Sequence, residues 1–155
     1  MTKYIFNFQH ATRKDAQLLF DWRNDPLTCK NSLKKNSVKK EDHIQWLTKS
    51  LESPKRELYI VTLNDIAVGT VRLDYVDESS WELSWTIAPD SRGKGYGKEM
   101  IKQATTLSNK NLIATILKEN IPSVKIAEYA GFVLEQDQNK DILRFKLTKL
   151  EMERT

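Results

Sequence analysis

Thiols and imidazoles are scarce in this chain, which contains Cys29 as its single cysteine and only two histidines, His10 and His43. One cysteine cannot form an internal disulfide, and so few soft ligands argue against a zinc site. A lone thiol is typical of a reducing compartment. We therefore expect a cytoplasmic protein that holds no metal.

Long apolar runs are also absent, since no stretch approaches the roughly 18 apolar residues that a membrane-spanning helix needs. The start, from Met1 to Tyr4, lacks the apolar segment of a secretion signal. The 155 residues, 39% of them hydrophobic, are enough for one domain with a real core and exclude a disordered chain. We expect a single domain over residues 1–150, a polar tail over residues 151–155, and no association with a membrane.

Charge of one sign is in only mild excess, because 25 basic residues face 21 acidic ones and leave a net charge of +4. This balance suits an anionic small ligand or a weak nucleic-acid contact equally well. Five lysines fall close together: Lys30, Lys34, Lys35, Lys39 and Lys40. Such a run is usually a solvated loop. A nucleic-acid partner would depend on these lysines alone, so we do not expect one.

The pattern of apolar residues predicts alternating strands and helices. Strands are predicted at 4–8, 57–63, 66–75, 81–88, 112–117, 132–134 and 142–147, and helices at 12–25, 41–52, 97–109 and 121–129. Short turns between the second, third and fourth strands indicate an antiparallel meander. This order predicts a single mixed α/β domain.

The segment from Pro89 to Lys98 is the most informative part of the sequence. It joins a strand to a helix and contains three of the five glycines: Gly93, Gly95 and Gly97. Backbone N–H groups of such a loop, with the positive end of the helix dipole, favour phosphate oxygens. Arg92, Lys94 and Lys98 add positive charge. The loop predicts a phosphate or pyrophosphate ligand, the alternative being a turn that binds nothing.

Two familiar glycine-rich loops do not fit. A dinucleotide-binding fingerprint needs a glycine where Lys98 or Met100 stands, and only Glu119, about twenty residues on, favours it. A nucleoside-triphosphate loop needs Ser or Thr after its lysine, but Glu99 follows Lys98.

Three motifs resemble those of the GNAT N-acetyltransferases. The run from Arg92 to Gly97 is similar to the R/Q-x-x-G-x-G/A loop that holds the pyrophosphate of acetyl-CoA in that family. The run from Trp81 to Asp90 resembles the family's fourth strand and the turn after it. The third motif, N-x-x-S-x-x-x-A/L-x-x-x-G-F, is matched by Asn120, Ser123, Ala127, Gly131 and Phe132.

The resemblance implies a mostly antiparallel central sheet of six to seven strands flanked by about four helices. It implies acetyl-CoA as co-substrate, a small-molecule amine as acceptor, and a monomer or homodimer. The coenzyme contacts that it implies are Ile87, Ala88, Arg92, Gly93, Lys94, Gly95, Tyr96, Gly97, Lys98, Asn120 and Ser123. Lys125 is either a further phosphate contact or an exposed helix lysine.

Catalysis in this family uses a backbone N–H of the fourth strand, here that of Ile87, to stabilise the oxyanion of the thioester carbonyl. A base must also take a proton from the attacking amine. Alternation along the strand predicts Glu82, Ser84 and Thr86 on one face. Glu82 is our candidate base, the alternative being an ordinary exposed or ion-paired strand glutamate.

The sequence departs from the family at one position. Many members carry a tyrosine four residues before the glycine of the final G-F, as the acid for the leaving thiolate, but this chain has Ala127 there. Tyr129 lies two residues further on, about 200° around a helix. We expect Tyr129 to serve in packing rather than catalysis.

The amino-terminal third is expected to bind the acceptor through Trp22, Arg23, Asn24 and His43, together with Glu82. An arginine beside a tryptophan can bind phosphate or stack on a base, but Trp22 in the core and Arg23 at a helix end are equally open. His43 is either a ligand contact or an ordinary packed residue.

The W-R-N-D run and the segment from His43 to Leu47 resemble GNAT enzymes that acetylate amino sugars on nucleotide carriers in pseudaminic-type sugar synthesis. They resemble, more distantly, those that acetylate the N-termini of ribosomal proteins. The sequence thus favours an N-acetyltransferase for a nucleotide-linked amino sugar. The alternatives are a protein N-terminal or small-amine acetyltransferase and a non-catalytic module that binds acyl-CoA.

Overall fold

A computed structural model describes residues 4–135 and 139–149, so the predicted tail at 151–155 lies outside the described residues. Seven strands form one sheet in the order β1-β2-β3-β4-β5-β7-β6. The strands are β1 (Asn7–His10), β2 (Arg56–Leu63), β3 (Ile66–Asp77), β4 (Ser80–Ile87), β5 (Asn111–Leu117), β6 (Val133–Leu134) and β7 (Ile142–Leu147). The described helices are α1 (Ala16–Arg23), α2 (Pro26–Lys30), α3 (Lys40–Glu52), α4 (Tyr96–Ala104) and α5 (Ile121–Tyr129).

The predicted meander is confirmed, because β2, β3 and β4 pair antiparallel in chain order. The pairing of β4 with β5 is parallel, as a strand-helix-strand connection through α4 requires. The remaining pairs are antiparallel, which confirms the mixed α/β class and a mostly antiparallel sheet of seven strands.

Alternation along β2 divides the interior into two layers. Tyr59 and Val61 face a large core that includes Met100 and Ile101 of α4 and Ala127 of α5. Leu58 and Ile60 face the opposite way, toward a smaller cluster that contains Leu19 of α1 and Leu47 of α3. The sheet is therefore covered by α1 and α3 on one face and by α4 and α5 on the other.

The first strand begins later than predicted. The sequence predicts a strand at 4–8, but β1 covers Asn7–His10. The side chain of Gln103, on α4, accepts from the Phe6 N–H (2.9 Å) and donates to the Tyr4 carbonyl (2.6 Å). The backbone before Asn7 is thus tied to a helix instead of to β2.

Sequence reasoning missed one helix, which gives five described helices where about four are expected. The segment Asp25-Pro26 was expected only to end a helix, and α1 does end at Arg23. Asp25 also begins α2, since its carboxylate accepts from the Thr28 N–H and Pro26 occupies the first turn. The helix predicted at 97–109 ends early, at Ala104, and continues as a tighter turn.

Within the described residues, no helix combines the length and the apolar character needed to cross a membrane.

Candidate active site

The sheet opens into a fork between β4 and β5. Their parallel pairing runs only from Ser80 opposite Asn111 to Glu82 opposite Ile113, although β4 continues to Ile87 and β5 to Leu117. On its other edge β5 remains paired with β7 as far as Leu117. The two central strands therefore diverge after Glu82, and backbone groups between them are left without a strand partner.

A cavity of about 690 Å³ occupies the mouth of this fork and extends beneath α1, α2 and α3. Glu82, Ser84 and Thr86 of β4 line it, as do Thr115 and Asn120 on the far side of the fork. The predicted alternation of β4 is confirmed, because Trp81, Leu83, Trp85 and Ile87 belong to the opposite core. Among the described residues, no side chain forms a hydrogen bond or ion pair with the Glu82 carboxylate. That carboxylate is therefore available to a ligand or to water.

The N–H of Ile87 is directed into the fork by the hydrogen-bond pattern of β4. Gly69 of β3 lies opposite Ile87, and the next residue, Ala88, donates its N–H to the Val68 carbonyl at 2.8 Å. Since successive N–H groups of a strand point to opposite sides, the N–H of Ile87 points away from β3. The N–H of Ala88 is engaged by β3 and its carbonyl accepts from the Ser91 N–H, so Ala88 stays a predicted coenzyme contact whose backbone groups already have partners.

The glycine-rich loop ends at a helix start that no side chain caps. Gly95 is the residue before α4, and both Gly93 (φ +75°) and Gly95 (φ +78°) adopt the left-handed conformation. Open space surrounds the position where each would carry a Cβ. The first N–H groups of α4 lack partners within the helix, and the helix dipole is positive there. This arrangement fits a pyrophosphate ligand.

The third glycine of the loop has a different task. A Cβ on Gly97 would lie 2.5 Å from Cδ1 of Ile126. Gly97 therefore allows α4 to pack closely against α5, and it contributes backbone rather than open space to the loop.

The side chains of the loop divide into two kinds. Lys94 and Lys98 are exposed and can face an anion. Tyr96 instead packs its ring edge-on against Tyr4 at a centroid distance of 5.0 Å. The Nη2 of Arg92 donates to Asp25 Oδ2 (2.7 Å) and Thr28 Oγ1 (2.8 Å), so this guanidinium is engaged by the protein. For Tyr96 only the backbone is left as the predicted coenzyme contact.

Helix α5 brings the third motif to the fork. Asn120 caps the helix by accepting from the Ser123 N–H at 3.4 Å, and both residues line the cavity. The indole N–H of Trp85, on β4, donates to the Ser123 hydroxyl at 3.3 Å. A side-chain bridge therefore spans the opening between β4 and α5.

Tyr129 lies outside the cavity, as expected from its position on α5. Its ring is 43% exposed, and its hydroxyl donates to the Glu99 carboxylate on α4, a hydrogen bond that raises the pKa of the tyrosine. Lys98 and Lys102 lie over the ring. Ala127, at the position where the family often has tyrosine, is fully buried in the core.

The predicted acceptor-binding residues mainly organise the edge of the cavity. We call residues 26–38, comprising α2 and the loop after it, the cleft rim. Nη2 of Arg23 donates to the carbonyls of Lys34 (2.9 Å) and Asn36 (3.2 Å). The Asn24 amide donates to the Val38 carbonyl (2.8 Å) and accepts from the Val38 N–H (2.7 Å). Arg23 and Asn24 thus hold the cleft rim by its backbone, and Trp22 is buried against the cavity wall.

His43 lies between aromatic rings and is 4% exposed. The ring centroid of Phe20 is 5.6 Å away and that of Trp46 is 5.3 Å away. Nδ1 is buried without a hydrogen-bond partner. Burial, and then the nearby charge of Arg23, lower the pKa of His43. The imidazole is therefore neutral near pH 7, and it lines the cavity.

Sequence reasoning missed a cluster of charged and aromatic side chains at the inner end of the cavity. Asp74 is shared by Arg56 Nε (2.5 Å) and Arg72 Nε (2.8 Å). Both guanidinium groups lie within 6 Å of the Trp46 ring centroid. These residues come from three separate elements, which is why no single segment of the sequence indicates the cluster. The register of β3 with β4, which places Arg72 opposite Ser84, brings them to the site.

Within the described residues, no group of three or more His, Cys, Asp or Glu side chains could hold a metal ion. A forked sheet beside a helix that starts uncapped in a glycine-rich loop suits an extended ligand that carries a pyrophosphate. The family model described as an acetyltransferase (GNAT) domain matches residues 6–133. The chain therefore belongs to the GNAT acetyltransferases and is an acetyl-CoA-dependent N-acetyltransferase, with acetyl-CoA as co-substrate.

Individual relatives agree with this family. The chain is 25% identical over 138 residues to the acetyltransferase PseH of Campylobacter jejuni, covering 87% of each protein. The spermidine N-acetyltransferase of Vibrio cholerae, solved with CoA and spermine, has the same fold with a TM-score of 0.83. It is 19% identical, with 92% of this chain and 94% of that chain covered. RimL, a ribosomal L7/L12 N-terminal acetyltransferase solved with coenzyme A, has a TM-score of 0.79 and 10% identity, with 96% of each chain covered.

Proposed function

We propose that this enzyme acetylates the primary amine of a nucleotide-linked amino sugar by direct attack of the amine on acetyl-CoA. One observation supports this most strongly. The fork, which holds the Ile87 N–H and the Glu82 carboxylate, opens into one large cavity whose inner wall carries basic side chains. The similarity to the acetyltransferase PseH along 87% of both chains agrees with acetyl transfer. The amino-sugar acceptor is the one that the resemblance of the W-R-N-D run implies.

The donor would bind along the fork with its pyrophosphate on the loop from Gly93 to Lys98. Unpaired N–H groups at the start of α4, together with Lys94 and Lys98, neutralise the phosphate charge. The open backbone of Gly93 and Gly95 allows phosphate oxygens to approach closely. The pantetheine arm would then run along the fork between β4 and β5, beside Asn120 and Ser123.

Transfer needs a neutral amine and a stabilised oxyanion. The amine nitrogen forms a bond to the thioester carbonyl carbon, and the carbonyl oxygen gains negative charge that the Ile87 N–H stabilises. Glu82 takes the proton that the amine loses, directly or through one water. When the carbon–sulfur bond breaks, the coenzyme leaves as a thiolate and takes a proton from solvent, since Ala127 supplies no acid.

The charge of the cavity favours an acceptor that carries negative charge. Its lining has four cationic side chains, Arg23, Lys34, Arg56 and Arg72, and two carboxylates, Asp42 and Glu82. The Asp74 carboxylate, paired with Arg56 and Arg72, adds a third negative charge, so one positive charge remains in excess. A polyamine has several positive charges and would be repelled by such a lining. A nucleotide diphosphate would be attracted, particularly by Arg72, whose terminal nitrogens donate no hydrogen bond to a described side chain.

The experiment is thiol release from acetyl-CoA with nucleotide-linked amino sugars, the corresponding free amino sugars, spermidine and N-terminal peptides. We expect turnover with a nucleotide-linked amino sugar and a value of kcat/KM at least tenfold lower for its free sugar. An Arg72→Gln variant should lose most of that preference, because the free sugar carries no phosphate. Turnover with peptides or spermidine alone would refute the acceptor and leave the acetyltransferase assignment intact.

A further inference from the structure

The glycine-rich loop from Gly93 to Lys98, which we call the donor loop, is joined to the cleft rim by one charged contact. The guanidinium of Arg92, directly before Gly93, donates to Asp25 Oδ2 and Thr28 Oγ1 at 2.7 and 2.8 Å. The same Asp25 oxygen accepts from the Thr28 N–H at 3.1 Å and so caps α2. One carboxylate therefore both starts the first helix of the rim and fastens it to the loop.

The contact between Arg92 and Asp25 can hold α2 in place when the loop is held in place. Side-chain exposure is 29% for Arg92 and 17% for Asp25, so the pair is partly shielded from water. A carboxylate bound by a guanidinium makes a stronger hydrogen bond than a neutral acceptor does. Although burial opposes it, the bonds from Arg92 and the Thr28 N–H lower the pKa of Asp25, so its carboxylate stays ionised at neutral pH.

Further attachments of the cleft rim come from Arg23 and Asn24. None of α2 is fully buried, and most of the loop after it is exposed. Arg23, the last residue of α1, and Asn24, the residue after it, hold the far part of the rim by its backbone, and Arg23 also contacts Cys29 of α2. The Arg92 contact ties the start of the rim to the other half of the site.

We propose that Arg92 and Asp25 are positioning residues through which bound coenzyme orders the cleft rim before the acceptor arrives. A pyrophosphate on the loop would fix the backbone that follows Arg92, and the fixed guanidinium would hold α2. Thr28, Asn31 and Ser32 line the cavity, so an ordered rim completes the acceptor side. The inference rests on the proposed function only in taking coenzyme A as the ligand of the loop.

The test is amide hydrogen exchange of the full chain with and without saturating coenzyme A. The reporters are the N–H groups of Cys29, Asn31, Ser32 and Val38, each of which donates to a rim or neighbouring acceptor. In the wild type we expect coenzyme A to slow their exchange about fivefold or more, the usual lower range of coupling between sites.

The variant Asp25→Ser removes the carboxylate but keeps a good helix cap, since serine caps as well as aspartate. It should bind coenzyme A and show no slowing at the rim. The matched control is Asp21→Ser, because Asp21 is exposed on α1 and bonded to Gln17 alone. It should respond as the wild type does. A merely structural role for Asp25 would change exchange in the free protein without changing the response to coenzyme A.

Three results would overturn the inference, the first being that Asp25→Ser keeps the wild-type response to coenzyme A. If coenzyme A binds the wild type and the rim amides do not respond, the coupling is refuted and the proposed function stands. If coenzyme A does not bind, both fail together. If Asp25→Ser prevents folding, the wild-type response still decides, with Thr28→Val as a second variant that removes only the hydroxyl bonded by Arg92.

Discussion

The Glu82 carboxylate lies on the cavity face of β4, where no described side chain neutralises it. We predict that Glu82→Gln lowers kcat/KM by about 100-fold to 10,000-fold, the usual contribution of a general base, while coenzyme A affinity is unchanged. The measurement is steady-state thiol release together with calorimetric titration. Glu78→Gln, in the exposed turn before β4, is the matched control. Activity of Glu82→Gln within threefold of the wild type would exclude this base.

Tyr129 directs its hydroxyl to Glu99, away from the cavity. We predict that Tyr129→Phe keeps kcat within about twofold of the wild type, because the thiolate of coenzyme A needs no enzyme acid to leave. Steady-state kinetics at saturating acetyl-CoA measure this. A loss of tenfold or more would show that this tyrosine reaches the leaving group.

His43 makes the stability of the protein depend on pH. The pKa of His43 in the folded protein lies below the value near 6.5 of an unfolded histidine. Between these two pKa values the unfolded chain binds a proton at His43 and the folded chain does not. The stability contributed by neutral His43 is therefore complete above about pH 6.5, and it falls as the pH drops from there to the folded pKa.

His43→Phe should abolish that loss and remove the unpaired Nδ1, which would raise the free energy of unfolding by about 1 kcal/mol at pH 7. Urea unfolding of both proteins at pH 7.5 and pH 5.5 gives the comparison. An equal loss of stability in both proteins would contradict the assignment.

At the scale of elements, the loop before α4 needs glycine at position 95 because of the backbone conformation there, and not because a side chain would clash with a neighbour. Nothing lies within 4 Å of a Cβ on Gly95, but its φ of +78° suits few residues with a side chain. We predict that Gly95→Ala lowers the free energy of unfolding by about 1 kcal/mol, and that Gly95→Asn lowers it less, because Asn tolerates this conformation. Urea unfolding checks both. Equal stability of Gly95→Ala and the wild type would contradict this explanation.

Most elements were predictable because their signals are local. The pattern of apolar residues located β2 to β5, and the helix start predicted at residue 12 falls where Thr12 and Asp15 exchange hydrogen bonds in the turn before α1. The helix α2 was missed because its five residues have no apolar periodicity. Asp25-Pro26 has the two residue types that commonly begin a helix, and that signal was available.

The residues of the candidate site were predictable only where they lie together in one segment of the sequence. The loop from Gly93 to Gly97 is such a segment. The tasks of Arg92 and Asp25 were not predictable, because the two residues are 67 positions apart and meet only in the folded chain. The same holds for Arg72, which reaches the cavity through the register of β3 with β4.

At the scale of the whole molecule, the two faces of the sheet carry different parts of the site. The α4 and α5 side supplies the donor loop and the core, and the α1 and α3 side supplies the cavity wall and its rim. The fork is where the two sides meet, so the reacting atoms are expected between Glu82 and Ile87.

The central claim, that coenzyme A binds along this fork, is tested most directly by mapping backbone amide shifts in NMR during a coenzyme A titration. We predict one saturable site, with the largest shifts at Ile87 and from Gly93 to Lys98, and little change in the middle of α3. Absence of binding at millimolar coenzyme A, or shifts that leave residues 93–98 unchanged, would contradict the account.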